Sequence, residues 1–275
     1  MITSVLARRR LRADQKRRAE RRGAIHRHIT RVLCGAATAG IALSTLGLAG
    51  AISPASAATQ SLSPPVYNNG AAGYLAQGRW FRFASTTLTV PPRIVPKASV
   101  GDVVIGIHAS CPGQCAPPSD LIGVEPGGGP GSIWYQGFPN GGEFKVSPNV
   151  GDQLTVSVYY DQQGHNYLTA TDLTQHTTQT IREALPGGMH PAYDHAELYS
   201  TVFGDVPPPA ADTRLWQFTG TRLTTYTGVH GTVQGPWQLT ELVKTTDGTS
   251  TGAVVASPSA PVNGGQDFGI WLRHR

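Results

Sequence analysis

From Gln153 to Tyr160 the chain alternates without interruption. Leu154, Val156, Val158 and Tyr160 fall on one face of an extended strand, Thr155, Ser157 and Tyr159 on the other. Short runs of the same kind, rich in β-branched and aromatic residues and closed by Gly, Pro, Asn or Asp, recur along the chain. They predict strands over Trp80–Val90, Asp102–Ala109, Asp120–Glu125, Ser132–Phe138, Asp152–Tyr160 and Asn166–Asp172. Further strands are expected over Thr177–Arg182, Ala196–Phe203, Arg214–Phe218, Trp237–Thr245 and Asp267–Leu272. Asp161–His165 and Leu173–His176 read as turns of one three-stranded meander. Past residue 57 no segment longer than about ten residues has helical periodicity, and no fixed repeat period points to a propeller or solenoid. The pattern is that of an all-β sandwich of antiparallel sheets, spanning 74–275, with 58–73 as a loose N-terminal tail. Pro126–Ser132 lacks the Lys-Ser/Thr of a phosphate loop and reads as a flexible hairpin tip, and Pro207–Ala211 as a stiff surface linker.

The first 57 residues stand apart. Arg8, Arg9, Arg10, Arg12, Arg17, Arg18, Arg21 and Arg22 form a basic head, followed by an apolar run from Val32 to Ile52 and then Pro54-Ala55-Ser56-Ala57. That order is the order of a secretory signal peptide, so residues 1–57 are expected to be removed and the protein secreted to the extracellular space. The apolar run is also long enough to span a bilayer as an uncleaved anchor. Cleavage reverses the charge: residues 58–275 carry 11 basic and 15 acidic residues, a net −4 against +5 for the whole chain. The basic character thus belongs to the leader, which argues against nucleic-acid binding, and against membrane association once the leader is gone. The exported part is expected to be a monomer. It keeps only Cys111 and Cys115, spaced as Cys-Pro-Gly-Gln-Cys, which in an oxidising compartment predict a small disulfide loop.

Glu197 is the sharpest candidate for chemistry. In Tyr193–Phe203 the period of two puts His195, Glu197, Tyr199 and Thr201 on one strand face, with Ala196, Leu198, Ser200 and Val202 on the other. A carboxyl between an imidazole and a phenol can act as general acid/base if partly buried; the same spacing also describes a solvated outer face. Trp134 and Gln136 share a strand face, where the amide could hold a carbonyl oxygen or a water and the indole line a groove, or where the two simply belong to an edge strand. His190, His195 and Asp194 lack the spacing of a metal site, and no Gly-x-Ser-x-Gly elbow marks a nucleophilic serine. No motif calls for a metal or cofactor.

Taken in order, these segments resemble the glutamic peptidase (eqolisin) family of secreted acid endopeptidases. Ala84-Ser-Thr-Thr-Leu-Thr-Val-Pro91 resembles the family's opening strand, and Val104-Ile-Gly-Ile-His108 its Trp-Val-Gly-Ile-Asp strand. Leu121-Ile-Gly123 resembles its Leu-Gln segment, Trp134-Tyr-Gln-Gly-Phe-Pro139 its Trp-Tyr-Glu-Trp-Tyr-Pro, and His195-Ala-Glu197 its Asn-Ala-Glu. The resemblance implies a jelly-roll (concanavalin A-like) sandwich of two antiparallel sheets with a concave face. It also implies that Glu197 matches the catalytic glutamate, which works on a water attacking a peptide carbonyl, while Gly123 stands at the position of the glutamine that stabilises the oxyanion. Val104, His108 and Gln136 depart from the family's Trp, Asp and Glu. His108 and His195 are further expected to place positive charge near Glu197 and depress its pKa.

The function expected from this reading is a secreted eqolisin-like protein of degenerate or weak peptidase activity. It would bind an extended peptide or glycan in a groove lined by Trp134, Gln136, His108, His195, Glu197 and Tyr199. One alternative is an active acid endopeptidase with Glu197 as general acid/base and Gln136 as oxyanion donor. Another is a lectin-like carbohydrate-binding module; a glycosidase would need a second carboxyl near Glu197, and Glu125 is a distant candidate.

Overall fold

The alternation of Gln153–Tyr160 is realised in space: Leu154, Val156, Val158 and Tyr160 are fully buried, while Tyr159 faces solvent. The computed structural model describes residues 62–92, 100–109, 118–126, 131–202 and 211–274. The leader, both cysteines, the centre of the 126–132 tip and the prolines of the 207–211 linker lie outside the described residues.

Strands β1 (Leu62–Asn68), β2 (Ala71–Gln77), β3 (Phe81–Thr89) and β4 (Val100–His108) come first. They are followed by β5 (Ser119–Glu125), β6 (Ser132–Gly137), β7 (Asn140–Glu143) and β8 (Gln153–Tyr160). The meander β8, β9 (His165–Asp172) and β10 (Thr177–Ala184) leads to β11 (His195–Val202) and the long β12 (Thr213–Thr225). The chain closes with β13 (His230–Gly231), β14 (Gln238–Thr245), β15 (Val254–Pro258) and β16 (Phe268–Leu272).

One leaf runs β10-β9-β8-β3-β12-β16 and the other β14-β2-β11-β4-β5-β6-β7, and β15 bridges them by pairing with both β16 and β14. Neighbours along this path are antiparallel. Apolar side chains of the two leaves meet in one core: Val103, Ile105 and Ile107 of β4 and Ile122 of β5 pack with Val156, Val158 and Leu168 from the opposite leaf. This is a β-sandwich, in which strands such as β8 and β9 give alternate residues to the interior.

The sequence reading leaves β1, β2, β7, β13 and β15 unpredicted and makes β12 too short. The loose tail is strand from Leu62 onward: β1 pairs in parallel with Leu239–Lys244 of β14. The Asn68 side-chain oxygen accepts from the Gly70 and Ala71 N–H groups at 2.8 and 2.6 Å, tying the turn into β2. Pro64 and Pro65 hide this strand from any pattern search, yet they fall where its register shifts between Ser63 and Val66, a place that tolerates proline. The strand expected at Arg214–Phe218 runs on to Thr225, because a bulge between Thr219 and Arg222 interrupts the alternation while pairing continues from β16 onto β3.

Candidate active site

On the face of the second leaf turned away from the core, cross-strand pairing sets side chains in rows. Gln77, His195, His108 and Ser119 form one row across β2, β11, β4 and β5. The next row holds Leu75, Glu197, Gly106, Leu121 and, on β6, Gln136. A third holds Gly73, Tyr199, Val104, Gly123 and Trp134. The sequence-predicted site residues therefore share one sheet face, but not one point.

Glu197 is 2% exposed, which excludes the solvated-face reading. Leu75 flanks it on β2. On the β4 side the Leu121 side chain leans over Gly106 so closely that a Cβ there would lie 2.4 Å from its methyl carbon. Glu197 Oε1 lies 3.4 Å from His108 Nδ1, and Oε2 is buried with no hydrogen-bond partner among the described residues. Burial among these groups pushes the carboxyl up to about 7, with His195 pulling the other way and Asp194 reinforcing the rise. The expected depression by histidine is thus reversed, because desolvation outweighs the attraction. His195 is held by Asp194, Nδ1 to Oδ1 at 2.8 Å. Burial lowers its pKa, but the bond and charge of Asp194 more than offset this and raise it. Tyr199 is buried beside Glu197 and Asp102, and its phenol is held far above the usual range.

Trp134 lies over Gly123: a Cβ on that glycine would fall 1.9 Å from the indole ring. The indole N–H reaches past β5 to donate to Asp102 Oδ2 at 2.5 Å. The position at which the resemblance places an oxyanion donor is therefore roofed by an aromatic ring. The β5 residue level with Glu197 is Leu121, not Gly123. Gln136 sits three strands from β11, roughly 14 Å by strand spacing, and its Nε2 donates to Ser119 Oγ at 2.8 Å. Geometry brings Glu197 and His108 together and leaves Gln136 apart from them. Trp134, Gln136 and His195 are partly exposed, whereas His108, Glu197 and Tyr199 form the buried layer beneath.

The sequence reading missed Ser119, which lies directly opposite His108. No motif marks it, and only the register of the β4–β5 hairpin puts the two side by side. His190, read as incidental, bonds through Nδ1 to the Tyr160 hydroxyl at 2.7 Å. Cys111 and Cys115 fall outside the described residues.

No protein-family model matches the chain, and no curated protein matches it. Solved structures do. Scytalido-glutamic peptidase with a peptide-based transition state analog aligns over 74% of this chain and 98% of its own, at 16% identity and a TM-score of 0.56. The same enzyme with a transition state analog inhibitor gives 17% identity and a TM-score of 0.55, over 74% and 97% of the two chains. SCP-B, an eqolisin in complex with the tripeptide Ala-Ile-His, gives 16% identity and 0.54, over 74% and 98%. At such identity the likeness is one of architecture: the chain folds as a distant, glutamic peptidase-like β-sandwich of two antiparallel leaves.

Proposed function

We propose that this is an exported eqolisin-like protein that binds an extended polypeptide across the Glu197 face of the second leaf and hydrolyses it weakly or not at all. One observation carries the reading. The row level with Glu197 offers Gly106 and Leu121, neither of which has a side-chain donor, while the amide of Gln136 is committed to Ser119 three strands away. Water attack on a peptide carbonyl needs a preorganised donor for the developing oxyanion, and losing one costs about 10²–10³ in rate. Trp134, Gln136 and His195, which reach the surface above the buried layer, make the contacts with the ligand. Two of the solved neighbours hold peptide-type ligands, which favours a polypeptide over a glycan. Export rests on the basic head, apolar run and Ala55-Ser56-Ala57 of the leader.

The test is to express and export the full-length chain and mix it with an acid-denatured protein across roughly pH 2–6, the range in which carboxyl acid/base chemistry operates. Binding without fragments in mass spectrometry, weakened in Trp134→Ala, is the expected result. Fragments that vanish in Glu197→Gln would overturn it.

That second outcome is the alternative reading, an acid endopeptidase, and one observation favours it. A carboxyl raised to about 7 carries its proton throughout the acid range, as a general acid must.

A further inference from the structure

Four adjacent strands, β11, β4, β5 and β6, carry Glu197, His108, Ser119 and Gln136 on one face and in that order. The sequence is carboxyl, imidazole, hydroxyl, amide. Glu197 Oε1 is 3.4 Å from His108 Nδ1. The Ala109 N–H donates to the Pro118 carbonyl at 3.0 Å. Because hydrogen-bonded and non-hydrogen-bonded pairs alternate along an antiparallel ladder, His108 and Ser119 form the next, non-hydrogen-bonded pair, in which side chains stand closest. Directly opposed Cβ atoms in such a pair are roughly 4.5–5.5 Å apart, so the hydroxyl stands on the β5 side of an imidazole whose Nδ1 faces Glu197 of β11. On the far side, Gln136 Nε2 donates to Ser119 Oγ at 2.8 Å. Having accepted there, the hydroxyl keeps its single proton for another partner.

We propose that Ser119, His108 and Glu197 form a serine-type acyl-transfer centre, with Gln136 positioning the serine, and that its substrates are ester carbonyls lying across this face. In the first step Ser119 Oγ bonds to the carbonyl carbon while its proton passes to His108 Nε2. Collapse of the tetrahedral intermediate breaks the ester carbon–oxygen bond, and the leaving alcohol takes that proton from His108. Water then attacks the acyl-serine by the same route, releasing the carboxylic acid and restoring Ser119. Glu197 holds the imidazole through Nδ1 and balances the charge it gains, the part played by the acid in any triad. Gln136 has a second N–H with which to meet the oxyanion. The His108 side chain is 5% exposed, its Nε2 is buried and Ser119 is 1% exposed, so the pair lies beneath the partly exposed Gln136 and His195.

The chemistry is independent of the water-activating role weighed above; it shares with it only the assignment of this face to the ligand. It also reverses the pH response. Serine activation needs Glu197 ionised, and the carboxyl loses its proton only around pH 7. The other titratable groups near the pair are Asp194 just before β11, His195 and Tyr199 on β11 and Asp102 on β4, whereas β2 and β5 present Leu75 and Leu121.

A fluorophosphonate probe tests this without knowledge of the substrate, since a competent serine displaces fluoride from phosphorus and gains its mass. With the full-length exported chain, we expect the label on the Ser119 peptide, none in Ser119→Ala, and a rate that rises through about pH 7, as the Glu197 value requires. Loss of the base in His108→Gln should slow labelling by about 10²–10⁴-fold. Glu197→Gln should slow it and abolish the pH rise, while Ser157→Ala on the opposite leaf should leave it unchanged. An unlabelled Ser119 in a chain that still shows β-rich circular dichroism and still binds polypeptide would overturn the proposal alone. So would labelling of Ser119 at the wild-type rate in His108→Gln. Labelling as expected without polypeptide binding would uphold this centre and overturn the binding function instead.

Discussion

Glu197 keeps its proton across the acid range because Leu75 and the overhanging Leu121 strip it of water faster than the nearby imidazoles can compensate. The sign of the consequence follows from linkage. The folded carboxyl titrates near 7 and the free one near 4.5, so its contribution to stability is complete below about pH 4.5 and is lost as pH rises through 7. Glu197→Gln, an uncharged isostere, is therefore expected to flatten the fall in melting temperature between acid and neutral pH. Parallel melts of the two proteins at either end of that window would show it. The candidacy of this residue is legible in the chain, because a period of two places it between His195 and Tyr199 on one face. Its burial is not, since Leu75 falls at the edge of a stretch that reads as tail. Leu121 acts only because Gly106 has no side chain to keep it away.

Strands show the same division. β8 and β9 declare themselves through alternation because one face meets the core and the other meets water. β2 does not: between β14 and β11 its residues Ala71–Ala76 are buried on both faces, so no polar phase marks the period. β1 is concealed by its prolines. A chain begun at Tyr74 would lose β1, the turn and the first three residues of β2, baring the outer edge of β14. It is expected to associate or precipitate where one begun at Ala58 stays monomeric, as light scattering would report. The roofing of Gly123 by Trp134 gives a second test. Gly123→Ala forces the indole off its seat and should cost about 1–3 kcal/mol of stability, with a red shift in tryptophan emission. Nothing in the spacing of these two residues foretells the contact, because it depends on the β5–β6 register.

At the scale of the molecule a second carboxyl acts in concert with Glu197. Asp120, on the core side of β5, is fully buried and lifted by burial to about 7, against hydrogen bonds from Tyr193, Phe138 and Asn166 that pull it down. Its free value of 3.8 lies well below, so here too stability is present in acid and drains away toward neutrality. The intact protein is expected to melt highest near pH 4 and to lose stability steadily to pH 8, the reverse of a fold whose carboxylates are salt-bridged; differential scanning calorimetry across that range would decide. The same aspartate is a polar joint buried between the leaves: Asn166 on β9 of the facing leaf donates to it at 2.8 Å, and the hydroxyl of Tyr193, just before β11, donates to it too. Two oily plates pressed together have many nearly equivalent alignments, since apolar attraction has no direction. A directional polar joint pushed through the middle acts as an indexing pin, admitting one alignment and leaving the rows above it, Glu197 with His108 and Ser119 among them, always facing the same way.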